Sequence, residues 1–123
     1  MTTIAIIEDD QVINQMYRMK FEAAGFEVVS ASDGEAGVKV VQRANPDIIL
    51  LDLQMPNMNG AEALQKIRHQ PANANTPVII LTNLGEEEAP AELRRLGIDS
   101  YIVKANLTPS QVVARVKETL NSK

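Results

Sequence analysis

Short unbroken apolar runs recur along the chain at Ile4 to Ile7, Ile48 to Leu51, Val78 to Leu81 and Tyr101 to Val103, with a more mixed run from Phe26 to Ala31. Runs of this length that do not alternate with polar residues mark strands buried on both faces, as in parallel sheets. The segments between them carry helical spacing instead. Ile13, Met16, Tyr17, Lys20, Phe21 and Ala24 outline a first helix, with Gly25 as its C-terminal cap. A second helix spans Gly34 to Ala44 and stops before Pro46, because the residue preceding a proline is pushed out of the helical region. A third begins near Gly60, after the loop from Gln54 to Asn59. Pro90 is tolerated only in a first turn, so the fourth helix starts there and ends before Gly97, which makes it short. The fifth has the clearest start, with Thr108 as N-cap, Pro109 in the first turn and Gln111 at the capping-box position; Val112, Val113, Val116 and Leu120 share one face.

Strand and helix thus alternate five times in 123 residues. That is too few for an eight-stranded barrel and fits an open α/β fold, a doubly wound five-stranded parallel sheet with helices on both faces. Residues 1–123 are expected to form one domain, since the length leaves no room for a second core. In such sheets ligands bind beyond the carboxyl ends of the strands.

The residues directly after each buried run are therefore the candidates for chemistry. Glu8-Asp9-Asp10 comes after the first, Asp52 after the third, Thr82 after the fourth and Lys104 after the fifth. Carboxylates gathered at one edge repel one another unless a cation holds them together. The chain has no cysteine, so a thiolate zinc site, a disulfide and a cysteine nucleophile are all excluded. Hard oxygen ligands in a compact cluster point to Mg²⁺. Mg²⁺ and Lys104 together nearly neutralise Glu8, Asp9 and Asp52, leaving a clamp for a phosphoryl group. Thr82 and Lys104 offer donors to phosphate oxygens, and Asp52 is placed to attack phosphorus.

Ile-Glu-Asp-Asp at the first strand end, Ile-Leu-Leu-Asp-Leu-Gln-Met-Pro-Asn-Met-Asn-Gly at the third, Leu-Thr at the fourth and Tyr-Ile-Val-Lys at the fifth resemble the receiver domains of two-component response regulators, the CheY-like family. The separations of 43, 30 and 22 residues along Asp9, Asp52, Thr82 and Lys104 fit that layout, and the resemblance covers the whole chain. It implies the flavodoxin-like strand order 2-1-3-4-5. It also implies that Asp52 is the phosphoacceptor, Asp9 a direct Mg²⁺ ligand, Glu8 a ligand mostly through water and Gln54 a ligand through its backbone carbonyl. Thr82 and Tyr101 resemble the family's switch pair, and Lys104 its phosphate-binding lysine. The implied phosphodonor is a sensor histidine kinase, a phosphotransfer protein or a small phosphodonor. The implied output is a change of the fourth helix, fifth strand and fifth helix, read by a downstream protein or output domain, with self-catalysed phosphotransfer and autodephosphorylation. The chain is expected to be a signalling switch rather than an enzyme, and a monomer or a phosphorylation-dependent dimer.

Two departures fall on the output side. Ala105 follows Lys104 where the family usually has a cis proline, and a non-proline cis bond costs roughly 2.5–4 kcal/mol, so a trans peptide is expected. Asn83 follows Thr82 where a small residue is usual. Net charge is -4, and the 12 basic residues form no block, so neither direct nucleic-acid binding nor membrane attachment is expected, and the location is expected to be cytoplasmic. Asp10 is expected to be a helix cap, Glu86-Glu87-Glu88 a solvated run, His69 a helix-end cation or a solvated side chain rather than a ligand, and Met55 and Met58 loop packing.

Three rival functions are distinguishable by residue. A phosphatase of the haloacid-dehalogenase type needs a second aspartate two residues after the nucleophile, where this chain has Gln54. A flavodoxin-type flavin carrier needs an anion-binding loop after the first strand, where Glu8-Asp9-Asp10 would repel phosphate. A docking pseudo-receiver has usually lost the acceptor or the acidic pair, and both are present. A stand-alone regulator and a piece of a longer protein both remain compatible with the sequence.

Overall fold

The computed structural model describes residues 1–123. Its strands are β1 (Thr3–Ile7), β2 (Glu27–Ala31), β3 (Ile48–Leu51), β4 (Val78–Thr82) and β5 (Ser100–Val103). They alternate with α1 (Gln11–Ala23), α2 (Gly34–Ala44), α3 (Gly60–Arg68), α4 (Glu92–Leu96) and α5 (Pro109–Asn121). All strand pairs are parallel, in the order β2-β1-β3-β4-β5, as expected.

Side chains alternate across a strand, so each central strand feeds two cores. Ile4, Ile6, Ile48, Leu50, Ile79 and Leu81 face α1 and α5, where they meet Tyr17, Phe21, Val112 and Val116. Ala5, Ile7, Ile49, Leu51, Val78 and Ile80 face the other way, onto Val41, Leu64, Ile67 and Leu93. Two-sided burial explains why these strands read as continuous apolar runs. β2 lies at the sheet edge and is only partly covered, which accounts for its mixed sequence.

The helix ends follow the sequence closely. Asp10 caps α1, accepting from the backbone N–H groups of Val12 and Ile13. Thr108 and Gln111 form the expected capping box of α5, and Asn59 and Glu62 form another at α3. Differences are confined to boundaries. Phe26 precedes β2 and sits in the core against Phe21, with the two ring centroids 5.2 Å apart. Pro90 and Ala91 make a turn held by Leu93 N–H to Pro90 O, and regular α-helix begins only at Glu92. Glu86–Glu88 is exposed and forms a single 3-10 turn. All peptide bonds are trans, including the one to Ala105, and Lys104–Asn106 forms a 3-10 turn. No helix is long and apolar enough to cross a membrane.

Candidate functional site

The parallel register brings the carboxyl ends of β1, β3, β4 and β5 to one edge, and four of the expected residues meet there. Glu8 follows β1 and is buried, with its backbone N–H donating to Ala31 O and its Oε2 accepting from Asp10 N–H at 3.1 Å. Asp52 follows β3, is only 5% exposed, and accepts at Oδ1 from Gln54 N–H at 3.3 Å. Lys104 reaches across from the end of β5. Its Nζ lies 2.6 Å from Glu8 Oε1 and 3.3 Å from Asp52 Oδ2. Thr82, at the end of β4, is fully buried, and its Oγ1 accepts from Leu84 N–H at 3.4 Å.

Asp9 and Gln54 are exposed at the rim. Glu8, Asp9 and Asp52 can each present an oxygen with all three atoms within 4.8 Å of one another. All donors in the cluster are hard oxygens, and two of the three residues are buried, so the residues present fit a small divalent cation. Tyr101 stands apart. It is half-buried on β5, and its hydroxyl donates to Leu84 O at 2.8 Å, which ties it to the β4–α4 loop rather than to the acidic cluster. Asp10 turns away to cap α1, and His69 lies at the C-terminus of α3 with Nδ1 against Gln65 O.

The electrostatics are tense. Burial, reinforced by the charge of Asp52, pushes the Glu8 carboxyl up to about 7 in spite of the hydrogen bonds from Lys104 and Asp10. Burial opposes the charge on Lys104, but Glu8 and Asp52 more than offset it and raise its pKa. The Glu8 shift makes stability depend on pH. A carboxyl titrating near 4.5 when unfolded and about 7 when folded stabilises the fold fully below the lower value, and that stabilisation is lost as pH rises toward and through the upper one. Without divalent metal, wild-type stability should therefore fall by up to about 3 kcal/mol between pH 5 and pH 8. Glu8→Gln should flatten the slope, as measured by urea denaturation in EDTA at each pH.

Several supporting residues have only a faint sequence signature or none. Asn14 is buried in α1 and donates its amide to Glu8 O at 3.0 Å and Ala31 O at 3.1 Å, so it fixes the turn that carries Glu8. Its signal was a polar residue in register with Tyr17 and Phe21 on the buried face. Gly60 lies against the backbone of Asp52. A Cβ there would come 2.1 Å from Asp52 O, and Gly60 N–H donates to Leu53 O. Asn57 adopts a left-handed φ of 65° and donates to Asp33, holding the β3–α3 loop against the start of α2.

Comparison with known proteins agrees with this geometry. The model of the response regulator receiver domain matches residues 4–117. The phosphate regulon transcriptional regulatory protein PhoB of Rhizobium meliloti (strain 1021) is 35% identical over 117 residues, which is 95% of this chain and 51% of that protein. The chain spans about half the length of the curated relatives it matches. Among solved structures, the chemotaxis protein CheY4 of Vibrio cholerae superposes with a TM-score of 0.88 at 29% identity, over 96% of this chain and 98% of that one. The receiver domain of the sensor histidine kinase PA1611 of Pseudomonas aeruginosa PAO1 shares the fold with a TM-score of 0.87 at 22% identity, over 98% of each chain. It carries a magnesium ion coordinated in its active-site cleft. The fold, the acidic edge and the family match over nearly the whole chain converge on one conclusion: this chain belongs to the response regulator receiver domain family.

Proposed function

We propose that residues 1–123 act as one phosphoacceptor domain in which Asp52 takes a phosphoryl group from a histidine kinase, a phosphotransfer protein or a small phosphodonor. The observation that carries this reading is the buried Asp52 carboxylate held 3.3 Å from Lys104 Nζ and grouped with the oxygens of Glu8 and Asp9. An Asp52 oxygen forms the new bond to phosphorus as the bond from phosphorus to the donor breaks, and the leaving donor keeps that electron pair. Glu8, Asp9, Asp52 and the backbone carbonyl of Gln54 would hold Mg²⁺, which supplies positive charge toward the phosphoryl oxygens.

This chain's own residues do the rest. Lys104 is already desolvated at the acceptor and can exchange its carboxylate partners for a phosphoryl oxygen with a small movement of Nζ. Thr82 brings a hydroxyl donor from the end of β4. When the Thr82 hydroxyl turns to the phosphoryl group it gives up its contact with Leu84 N–H, in the loop that Tyr101 also holds. That shared loop is the path from Asp52 to the α4-β5-α5 face, where a downstream protein or an output domain would read the change. Gln54 two residues after Asp52 argues against a phosphatase of the haloacid-dehalogenase type, which needs an aspartate there.

Intact-protein mass after incubation with acetyl phosphate tests the reading. One phosphoryl group should be added with Mg²⁺ and none in EDTA. Absence of an adduct with Mg²⁺, with histidine kinases also tried as donors, would leave a docking module. Protons and the cation compete for Glu8, so Mg²⁺ should raise the melting temperature more at pH 8 than at pH 5.5. An equal rise at both pH values would place the cation away from Glu8.

A further inference from the structure

Beneath the acceptor site lies a tyrosine. Tyr17 is about two turns into α1 from the Asp10 cap, and side chains on a helix tilt toward its N-terminus, which here is the edge that carries Glu8 and Lys104. Its ring shares a core cluster with Ile6, Leu50 and Leu81, and together with Glu8 and Asp52 these residues line one narrow seam that has no room for a water molecule. Only 3% of Tyr17 is exposed, and its hydroxyl has no hydrogen-bond partner in the protein. No fully buried polar atom in the chain lacks a partner, so the hydroxyl is the part of the ring that reaches the surface. Burial pushes the phenol pKa up, the charge of Lys104 opposes this and that of Glu8 adds to it, so both charges act on the hydroxyl.

Lys104 has a donor left over. An ammonium carries three N–H groups; one goes to Glu8 Oε1 at 2.6 Å and a second toward Asp52 Oδ2 at 3.3 Å. The Lys104 side chain is only 12% exposed, so water reaches it only in part. When Glu8 turns to a cation, the shorter of the two contacts is lost, and a largely desolvated ammonium needs another acceptor. A phenol oxygen on a buried ring is neutral and fixed in place, so it can fill that role without competing with the phosphoryl group for the positive charge. Phenylalanine at position 17 would complete the same core without the oxygen.

We propose that Tyr17 is a positioning residue for Lys104: its phenol oxygen accepts a Lys104 N–H once Glu8 lets go, and so keeps the ammonium over Asp52 as the phosphoryl group arrives. The proposal rests on the phosphoacceptor reading for the step it serves, but the pairing of Tyr17 with a freed Lys104 is independent of that reading.

The Tyr17 Cζ carbon reports in ¹³C NMR what its hydroxyl bonds to. Its signal should move when Lys104 is freed from Glu8, by Mg²⁺ in wild type or by Glu8→Ala in EDTA. It should stay in place under both treatments when Lys104→Met is also present. A signal that never moves, or that moves equally with Lys104→Met, overturns the pairing. Tyr17→Phe keeps the ring, so its urea midpoint should stay close to wild type while acetyl phosphate labelling slows about tenfold, the weight of one hydrogen bond to a charged group. In a Lys104→Met background the same change should slow labelling no further. An equal slowing in both backgrounds overturns the positioning role. Wild-type protein that answers to neither Mg²⁺ nor acetyl phosphate would count against the phosphoacceptor reading, and the Glu8→Ala spectrum would still decide the pairing.

Discussion

Asp52→Asn is expected to abolish phosphorylation by acetyl phosphate, with a fall on the order of a thousandfold or more, because a neutral carboxamide oxygen is a far poorer nucleophile than a carboxylate. The measurement is the same intact-mass assay, followed over time. The substitution keeps the shape of the side chain, and the Glu8 to Lys104 ion pair at 2.6 Å does not depend on it, so the variant should stay folded. Removing the Asp52 charge also removes one of the influences that raise Glu8, so the Glu8 carboxyl should titrate lower than its wild-type value of about 7. A folded variant that is silent in phosphorylation but has a lowered Glu8 titration would separate loss of the nucleophile from collapse of the site. Undiminished phosphoryl incorporation would move the acceptor to another residue.

Gly60→Ala should be among the most damaging single-methyl changes in the chain, costing about 3 kcal/mol or more in urea denaturation. The added Cβ would lie 2.1 Å from Asp52 O, 2.8 Å from Leu53 Cα and 3.0 Å from Asp52 C. Every one of these is a backbone atom, so no side chain can swing aside, and either α3 or the end of β3 must move. Because Asp52 belongs to the segment that is displaced, acetyl phosphate labelling should fall in the fraction that still folds. Gly25→Ala is the instructive contrast. Gly25 has a φ of 96° with nothing within 4 Å of the added carbon, so the cost there is conformational strain alone, roughly 1 kcal/mol, with labelling unchanged. Equal losses at the two glycines would mean that the close approach of Gly60 to Asp52 is relaxed in solution.

The periodicities along the chain determined the fold class by themselves. Four apolar runs and one mixed edge run, separated by segments of helical spacing, have few solutions in about 120 residues, and the right-handed crossover rule leaves the doubly wound sheet among the simplest. The same reasoning placed the site, since the residue after a buried strand must lie at the sheet's carboxyl edge. Glu8, Asp52, Thr82 and Lys104 are therefore legible as a group in the sequence. Capping signals were equally local: Asp10, Thr108 and Gln111 act within a few residues of themselves, and all three sit where the pattern put them.

What only the tertiary structure decided involves partners far apart in the chain. The sequence placed Glu8 and Asp9 side by side at one strand end without saying which is buried; Glu8 is buried against Lys104 while Asp9 faces solvent. The need for glycine at position 60 arises from the path of β3, and the work of Asn14 depends on where β2 ends. Arg68 gives the clearest case. It reads as an ordinary basic residue in a last helical turn, but two of its partners are carbonyls 28 and 29 residues onward, and backbone carbonyls look alike in every sequence. Patterns of side chains encode which faces are buried. They do not encode which distant backbone groups are left without a partner, and those are the groups that the tertiary structure assigns to Arg68 and Asn14.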